Sequence, residues 1–117
     1  MEPIYAQDGK VVAWRNGNNI HALDGKHTAV LSGGSLYGHR GQHLGRVASG
    51  LYRDNAGAVV AFEKGARGGP MLPIGAIPPI PPIPAIPPIP AIPSIPPIAP
   101  IPSLKWSAMN WQGYLKQ

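Results

Sequence analysis

The sequence predicts an all-β fold: four β-hairpin repeats in a pseudo-four-fold closed ring, followed by a long polyproline II rod and a short aromatic C-terminus with helical character. Three observations predict it. Glycine recurs with a spacing of 16 residues at Gly9, Gly25, Gly41 and Gly57. Isoleucine stands at every third position from Ile74 to Ile101, among prolines. Past Pro102 the composition changes again, to a stretch that carries Trp106, Trp111 and Tyr114. The chain therefore divides into a four-repeat head (1–66), a Gly-rich hinge (67–76), an Ile-Pro rod (77–103) and an aromatic anchor segment (104–117).

Three more columns of the head follow the glycine period. An apolar residue stands five before each glycine (Ile4, Ile20, Leu36, Tyr52), and Val12, Thr28, Leu44 and Val60 stand three after it, Thr28 being the weakest match. The next position is small in every copy: Ala13, Ala29, Gly45 and Ala61. Gly17, Gly33, Ser49 and Gly65 mark a second turn eight residues past the repeat glycine. Asp8-Gly9 and Asp24-Gly25 read as two-residue hairpin turns, because such turns need positive φ and glycine adopts it without steric cost. Each unit is then strand, tight turn, strand, loose turn. A single hairpin is marginal in water, and a closed ring of four leaves no unpaired strand edge. In that ring the small column belongs near the axis, where backbones approach most closely.

The rod has its own period. Polyproline II has three residues per turn, so Ile77, Ile80, Ile83, Ile86, Ile89, Ile92, Ile95, Ile98 and Ile101 fall on one ridge, with Ile74 before them and Leu104 after. A second ridge is proline from Pro78 to Pro102 except at Ala99, and the third mixes Pro82, Ala85, Pro88, Ala91 and Ser94. No charge interrupts it. A membrane-spanning rod is excluded on physical grounds, since its carbonyls would find no partners in lipid. At ~3.1 Å per residue, residues 77–101 would extend about 75 Å, against a radius of gyration of ~11 Å for a head of this size. The rod must wrap its head, project into a partner, or bundle with other copies, and the self-complementary isoleucine ridge favours bundling. P-x-x-P motifs such as Pro78-Pro-Ile-Pro81 leave a protein partner for the Pro-rich rod as the rival.

In the anchor, Ser107 reads as the cap of a short helix in which Ala108, Trp111 and Leu115 share a face, although Gly113 weakens it. The cluster of Trp106, Trp111 and Tyr114 reads as a docking anchor on a head, and less well as a membrane-surface contact, since two lysines give little attraction to anionic lipid.

Chemistry is sparse. The net charge of +5 splits into +3 on residues 1–69 and +2 on the tail, with acids interspersed, which argues against nucleic acid as a partner. The chain has no cysteine, so disulfides and thiolate metal sites are excluded. His39 and His43 flank Gly41, and His21 and His27 flank Gly25. Such cross-hairpin pairs would need a third ligand from another unit to hold zinc. The better reading is solvated strand histidines, with no metal and no cofactor. Asp8, Asp24 and Asp54 read as turn residues, and no activated nucleophile or phosphate loop is present. The start Met1-Glu-Pro lacks a basic, apolar leader, which gives a cytoplasmic expectation.

The pattern Ile4-Tyr5-Ala-Gln-Asp8-Gly9-Lys-Val-Val-Ala13-Trp14, repeated as Ile20-His-Ala-Leu-Asp24-Gly25-Lys-His-Thr-Ala29-Val, with a Gly-Gly-Pro junction and an Ile-Pro-Pro tail ending in Leu-Lys-Trp-Ser, resembles the bacterial four-fold β-flower proteins. The resemblance covers nearly the whole chain. It implies four hairpin petals around a pseudo-four-fold axis and names no activity. Arg46 departs from the apolar habit of Trp14, Val30 and Phe62 in its column, marking the third petal as less well packed or facing a partner. The functional expectation is a non-enzymatic assembly protein, self-associating through the rod and anchor. The alternative is a module binding a small ligand, a lipid or a membrane surface at the hub or petal rims of the head, with the tail as connector, in which Tyr5, Tyr37 and Arg46 would matter.

Overall fold

The repeat period becomes a strand period. A computed structural model describes residues 1–73, 75, 79, 81–87, 96 and 100–117. Eight antiparallel strands follow in chain order: β1 (Glu2–Tyr5), β2 (Val11–Asn16), β3 (Asn19–His21), β4 (His27–Ser32), β5 (Ser35–Tyr37), β6 (His43–Ala48), β7 (Leu51–Arg53) and β8 (Val59–Phe62). Each pairs with its neighbours in sequence, and β8 returns to β1 through Tyr5 and Phe62, so the sheet is a closed barrel. Closure removes the edges that a repeated hairpin would otherwise expose.

The two turns of each unit have the reverse of their expected sizes. The Asp-Gly turn is the wide one: Gly9 N–H donates to the carbonyl of Ala6 and Ala6 N–H to that of Lys10, both at 2.9 Å. Gly25, Gly41 and Gly57 close equivalent loops, all at positive φ. The tight two-residue turns are the other set, Gly17-Asn18, Gly33-Gly34 and Ser49-Gly50. The reason is the left-handed glycine, which here ends a three-residue loop and feeds a bulge rather than sitting inside a two-residue turn. In all four units the register slips at the same place, leaving Val12, Thr28, Leu44 or Val60 as the extra residue. Thr28 is tolerated there because its hydroxyl donates to the Ile20 carbonyl at 3.1 Å. Asp8 and Asp24 each accept the N–H two residues on at 3.0 Å, and Asp54 accepts from Ala56 and Ala58, so these acids do shape turns.

The core follows from cross-strand pairing. Ile4, Ile20, Leu36 and Tyr52 lie directly opposite Ala13, Ala29, Gly45 and Ala61. All eight are buried, the large partner filling the space that the small one leaves. Gly45 is the one member of the small column without a methyl. A Cβ there would stand 1.9 Å from the Arg53 carbonyl oxygen and 2.5 Å from the Tyr114 hydroxyl. That hydroxyl donates to the Arg53 carbonyl at 2.9 Å. The missing methyl makes room for the C-terminal segment, which plugs this side of the ring.

The helix α1 (Trp111–Leu115) starts later than Ser107 would place it. Asn110 is the N-cap, its side chain accepting from Gly113 N–H at 2.8 Å. Ser107 is instead engaged by the head: its hydroxyl donates to Asp54 Oδ2 at 2.6 Å and accepts from Met109 N–H at 3.1 Å. Trp111 and Tyr114 form the buried face.

Substituting Gly45→Ala forces a methyl against backbone that cannot swing aside, so it should cost roughly 2–3 kcal/mol. Urea unfolding followed by tryptophan fluorescence measures it. The reverse change Ala29→Gly should cost about 1 kcal/mol, and equal costs at the two positions would contradict this account.

Candidate interaction site on the head

The tail meets the head at the turn glycines. Ala85 N–H donates to the Gly25 carbonyl at 2.9 Å, and Ser103 N–H to the Gly57 carbonyl at 3.1 Å. At both places the tail backbone lies so close that only glycine fits: a Cβ would stand 2.5 Å from the Ile83 oxygen at Gly25, and 2.6 Å from the Ile101 oxygen at Gly57. Each carbonyl is also held by the side chain four positions earlier. His21 Nδ1 lies 3.1 Å from the Gly25 oxygen and Arg53 Nη1 lies 2.7 Å from the Gly57 oxygen. Arg53 reaches further, donating to the carbonyls of Ser103 at 2.6 Å and Gly68 at 3.0 Å.

The predicted hinge is docked as well. Arg67 N–H donates to the Ser49 carbonyl at 3.0 Å, Leu72 packs beside Tyr5 and Phe62, and Gly75 lies against the Tyr5 ring. Of the three courses open to the rod, its described residues follow their own head. The isoleucines do not: Ile83, Ile86 and Ile101 are 92, 93 and 88 % exposed. Ile77, Ile80, Ile89, Ile92, Ile95 and Ile98, the rest of the expected self-association ridge, lie outside the described residues.

The three aromatics expected to anchor the chain end all lie on its own head. Trp106 forms a parallel bridge with Val59, flanked by hydrogen bonds from Val59 N–H to the Lys105 carbonyl and from Ser107 N–H to the Val59 carbonyl. This repairs the weakest point of the ring. Where the other neighbouring units share three cross-strand pairs through a tight turn, β8 and β1 share one, and Pro3 has no N–H to extend it. An ion pair spans the same seam: Arg15 donates from Nε and Nη2 to the two Glu63 oxygens at 2.8 and 2.9 Å. The Tyr52 hydroxyl donates to the same carboxylate at 2.5 Å, and burial with that bond pushes the phenol pKa well up. Trp111 packs edge-on against Tyr52, and Tyr114 is fully buried.

His21 stays on its own turn, whereas His27 and His43 each join their petal to the next. His27 Nδ1 lies 2.9 Å from His39 Nε2, and its other nitrogen 2.9 Å from Asn19 Oδ1. One unit on, His43 sits in the same way between Asn55 Oδ1 at 2.8 Å and Ser35 Oγ at 3.0 Å. In the first and fourth units this column is Val11 and Val59, so polar joints hold the middle of the chain and apolar joints its ends. Among the described residues no group of three or more His, Cys, Asp or Glu is arranged to hold a metal ion. Tyr5 and Tyr37 are 6 and 5 % exposed, so little of either ring reaches the surface. Arg46 stands opposite Arg53 and reaches Ser35 Oγ at 3.4 Å.

The description "4-fold beta flower protein" belongs to the family that matches residues 2–115, all four units and the tail together. The chain belongs to this family. No curated protein matches it, and no solved structure does. In this β-flower the petals are the four hairpins, the plug is the C-terminal segment, and no described helix is long and apolar enough to cross a membrane. The repeat glycines marked the turns in the sequence; that their carbonyls receive the tail was not legible, because a hydrogen-bond acceptor on the backbone has no residue signature.

Burial first, then the charges of His39 and His21, lower the His27 pKa; burial and the nearby Arg46 lower that of His43, against the Asn55 hydrogen bond. A base with a lowered folded pKa is protonated first in the unfolded chain. Stability is therefore full above the unfolded value of about 6.5 and is lost as pH falls through it towards the folded value. The thermal midpoint should drop between about pH 7.5 and about pH 5.5. The pair His27→Gln and His43→Gln should flatten that slope, as read by calorimetry across the range.

Proposed function

We propose that this β-flower is a non-enzymatic assembly protein whose head is a rigid core on which the tail displays an isoleucine ridge to a second copy. The observation that carries the reading is the aim of the tail. Its backbone is hydrogen-bonded to the head at Ala85 and Ser103, while Ile83, Ile86 and Ile101 point away from it. A tail that served only as a wrapping would gain by turning those side chains inward, since burying each is worth about 1.5–3 kcal/mol. The ridge has no charge, and a three-residue repeat is complementary to itself, which favours another copy as the covering surface. His27 and His43 have both ring nitrogens engaged, one within their own petal and one to the next, which supports a structural role for the best acid–base candidates.

Light scattering tests this on the full chain. The chain should run as a multimer, and the triple change Ile83→Ser, Ile86→Ser and Ile101→Ser should at least halve its mass without altering the circular dichroism spectrum. A chain that is monomeric at every concentration before mutation sinks the proposal.

A second reading is favoured by one feature, a pocket of about 600 Å³ between the Ala6–Asp8 turn and the 107–112 segment, with Val12 and Val60 in its floor. A small ligand there would act through the head, and its binding would survive the triple serine change.

A further inference from the structure

The two tail contacts are one contact made twice. Gly25 and Gly57 are 32 residues apart, two repeat units, and Ala85 and Ser103 are 18 residues apart. The spacing averages nine residues per unit, and nine residues would be three turns of polyproline II, a length that returns the same ridge to the same side. The atoms correspond as well: a glycine carbonyl accepting the tail N–H, a side chain at the equivalent repeat position holding that carbonyl, and an isoleucine carbonyl over the glycine Cα.

We propose that the repeat unit of the head carries a polyproline II reading site. Its turn glycine selects a small non-proline residue at the third position of an Ile-Pro-x triplet, and its ligand is a polyproline II segment with such a residue at every ninth position. The selectivity has a direct cause. Proline has no N–H to donate to the glycine carbonyl, and any residue but glycine in the head would clash with the ligand backbone. The resident ligand carries the pattern in its sequence: Ala85, Ser94 and Ser103 each close an Ile-Pro-x triplet without proline, nine apart, and Ala76 continues the spacing after Ile74-Gly75. It is also free of proline at Ala91, out of phase. All four repeat glycines are buried, although the residues just before them, Asp8, Asp24, Arg40 and Ala56, are exposed. The site deepens the reading above, since fixing this ridge on the head is what turns the isoleucine ridge outward.

Proline scanning of the full chain tests it. Ala85→Pro removes one N–H from a backbone already in an extended, proline-flanked stretch and should lower the thermal midpoint by about 4 °C or more. Ala91→Pro, the same change out of phase, should leave the midpoint within about 1 °C. In the unmutated chain the amides of Ala85 and Ser103 should exchange at least about tenfold more slowly than in a free peptide of residues 81–103, by NMR. Ser103→Pro should match Ala85→Pro, and if it unfolds the chain through its closeness to Trp106, Ala85→Pro decides. Equal effects of the changes at 85 and 91, or free-peptide exchange at both amides, overturn the reading site. Neither readout depends on oligomer mass: a monomeric chain with protected amides would sink the assembly proposal and leave this one standing.

Discussion

The left-handed glycine at the end of each wide turn is the constraint on which the rest of the structure depends. Its positive φ lets a three-residue loop close and feeds the bulge that follows. The bulge adds Val12, Thr28, Leu44 or Val60 to its strand and tightens the local twist, which an open meander would not need and a ring of eight short strands does. The same residue offers its carbonyl and a surface without Cβ to the tail. Turn and curvature thus share one position per unit, and at Gly25 and Gly57 docking shares it too; the glycine persists in all four units while the residue before it changes from Asp to Arg and Ala.

A ring of four equal petals has one unequal joint. Three pairs of petals are tied by tight turns, and the fourth is closed by Tyr5 and Phe62 alone between strands. The chain strengthens that joint from outside its repeats, where Trp106 bridges β8, and from within them, where Arg15 clasps Glu63 across β1. Tyr114 enters the ring elsewhere, in the space opened by Gly45. The C-terminal segment belongs to the fold of the head as much as any petal does. A head and tail that were independent would not share a core cluster, and here Trp111 and Tyr114 stand in the same cluster as Ile4 and Ala13.

The outer face is partitioned along the chain. Val11 and Val59 sit where the tail and its following segment supply apolar cover, whereas His27 and His43 sit where the next petal supplies His39 or Asn55. A buried or half-buried polar group is tolerated where it has a partner, and here each polar joint has its partners on its own petal and the next. The two histidines whose pKa is lowered therefore both sit in the joints of the middle petals.

Much of this was legible in the residues. Four columns at one spacing specify hairpins, and the pairing of large with small columns, Ile4 with Ala13 or Tyr52 with Ala61, already contains the packing of the ring, because in a sheet each residue's neighbour is set by register. The period of three would place the isoleucines on one ridge of a polyproline II helix. The size of the turns was misjudged because Asp-Gly fits a two-residue turn and the end of a three-residue loop alike, and only the hydrogen bond from Ala6 to Lys10 separates them. The cap of α1 was misplaced because Ser107 found a stronger partner in Asp54, distant in sequence. The sequence by itself determined the repeat and the closed all-β head, since these follow from periodicities of single residues. Only the tertiary structure decided that the described tail residues lie on their own head with Ile83, Ile86 and Ile101 outward, because that choice is made by backbone carbonyls and by the absence of a Cβ at Gly25 and Gly57, contacts between segments that no local pattern encodes.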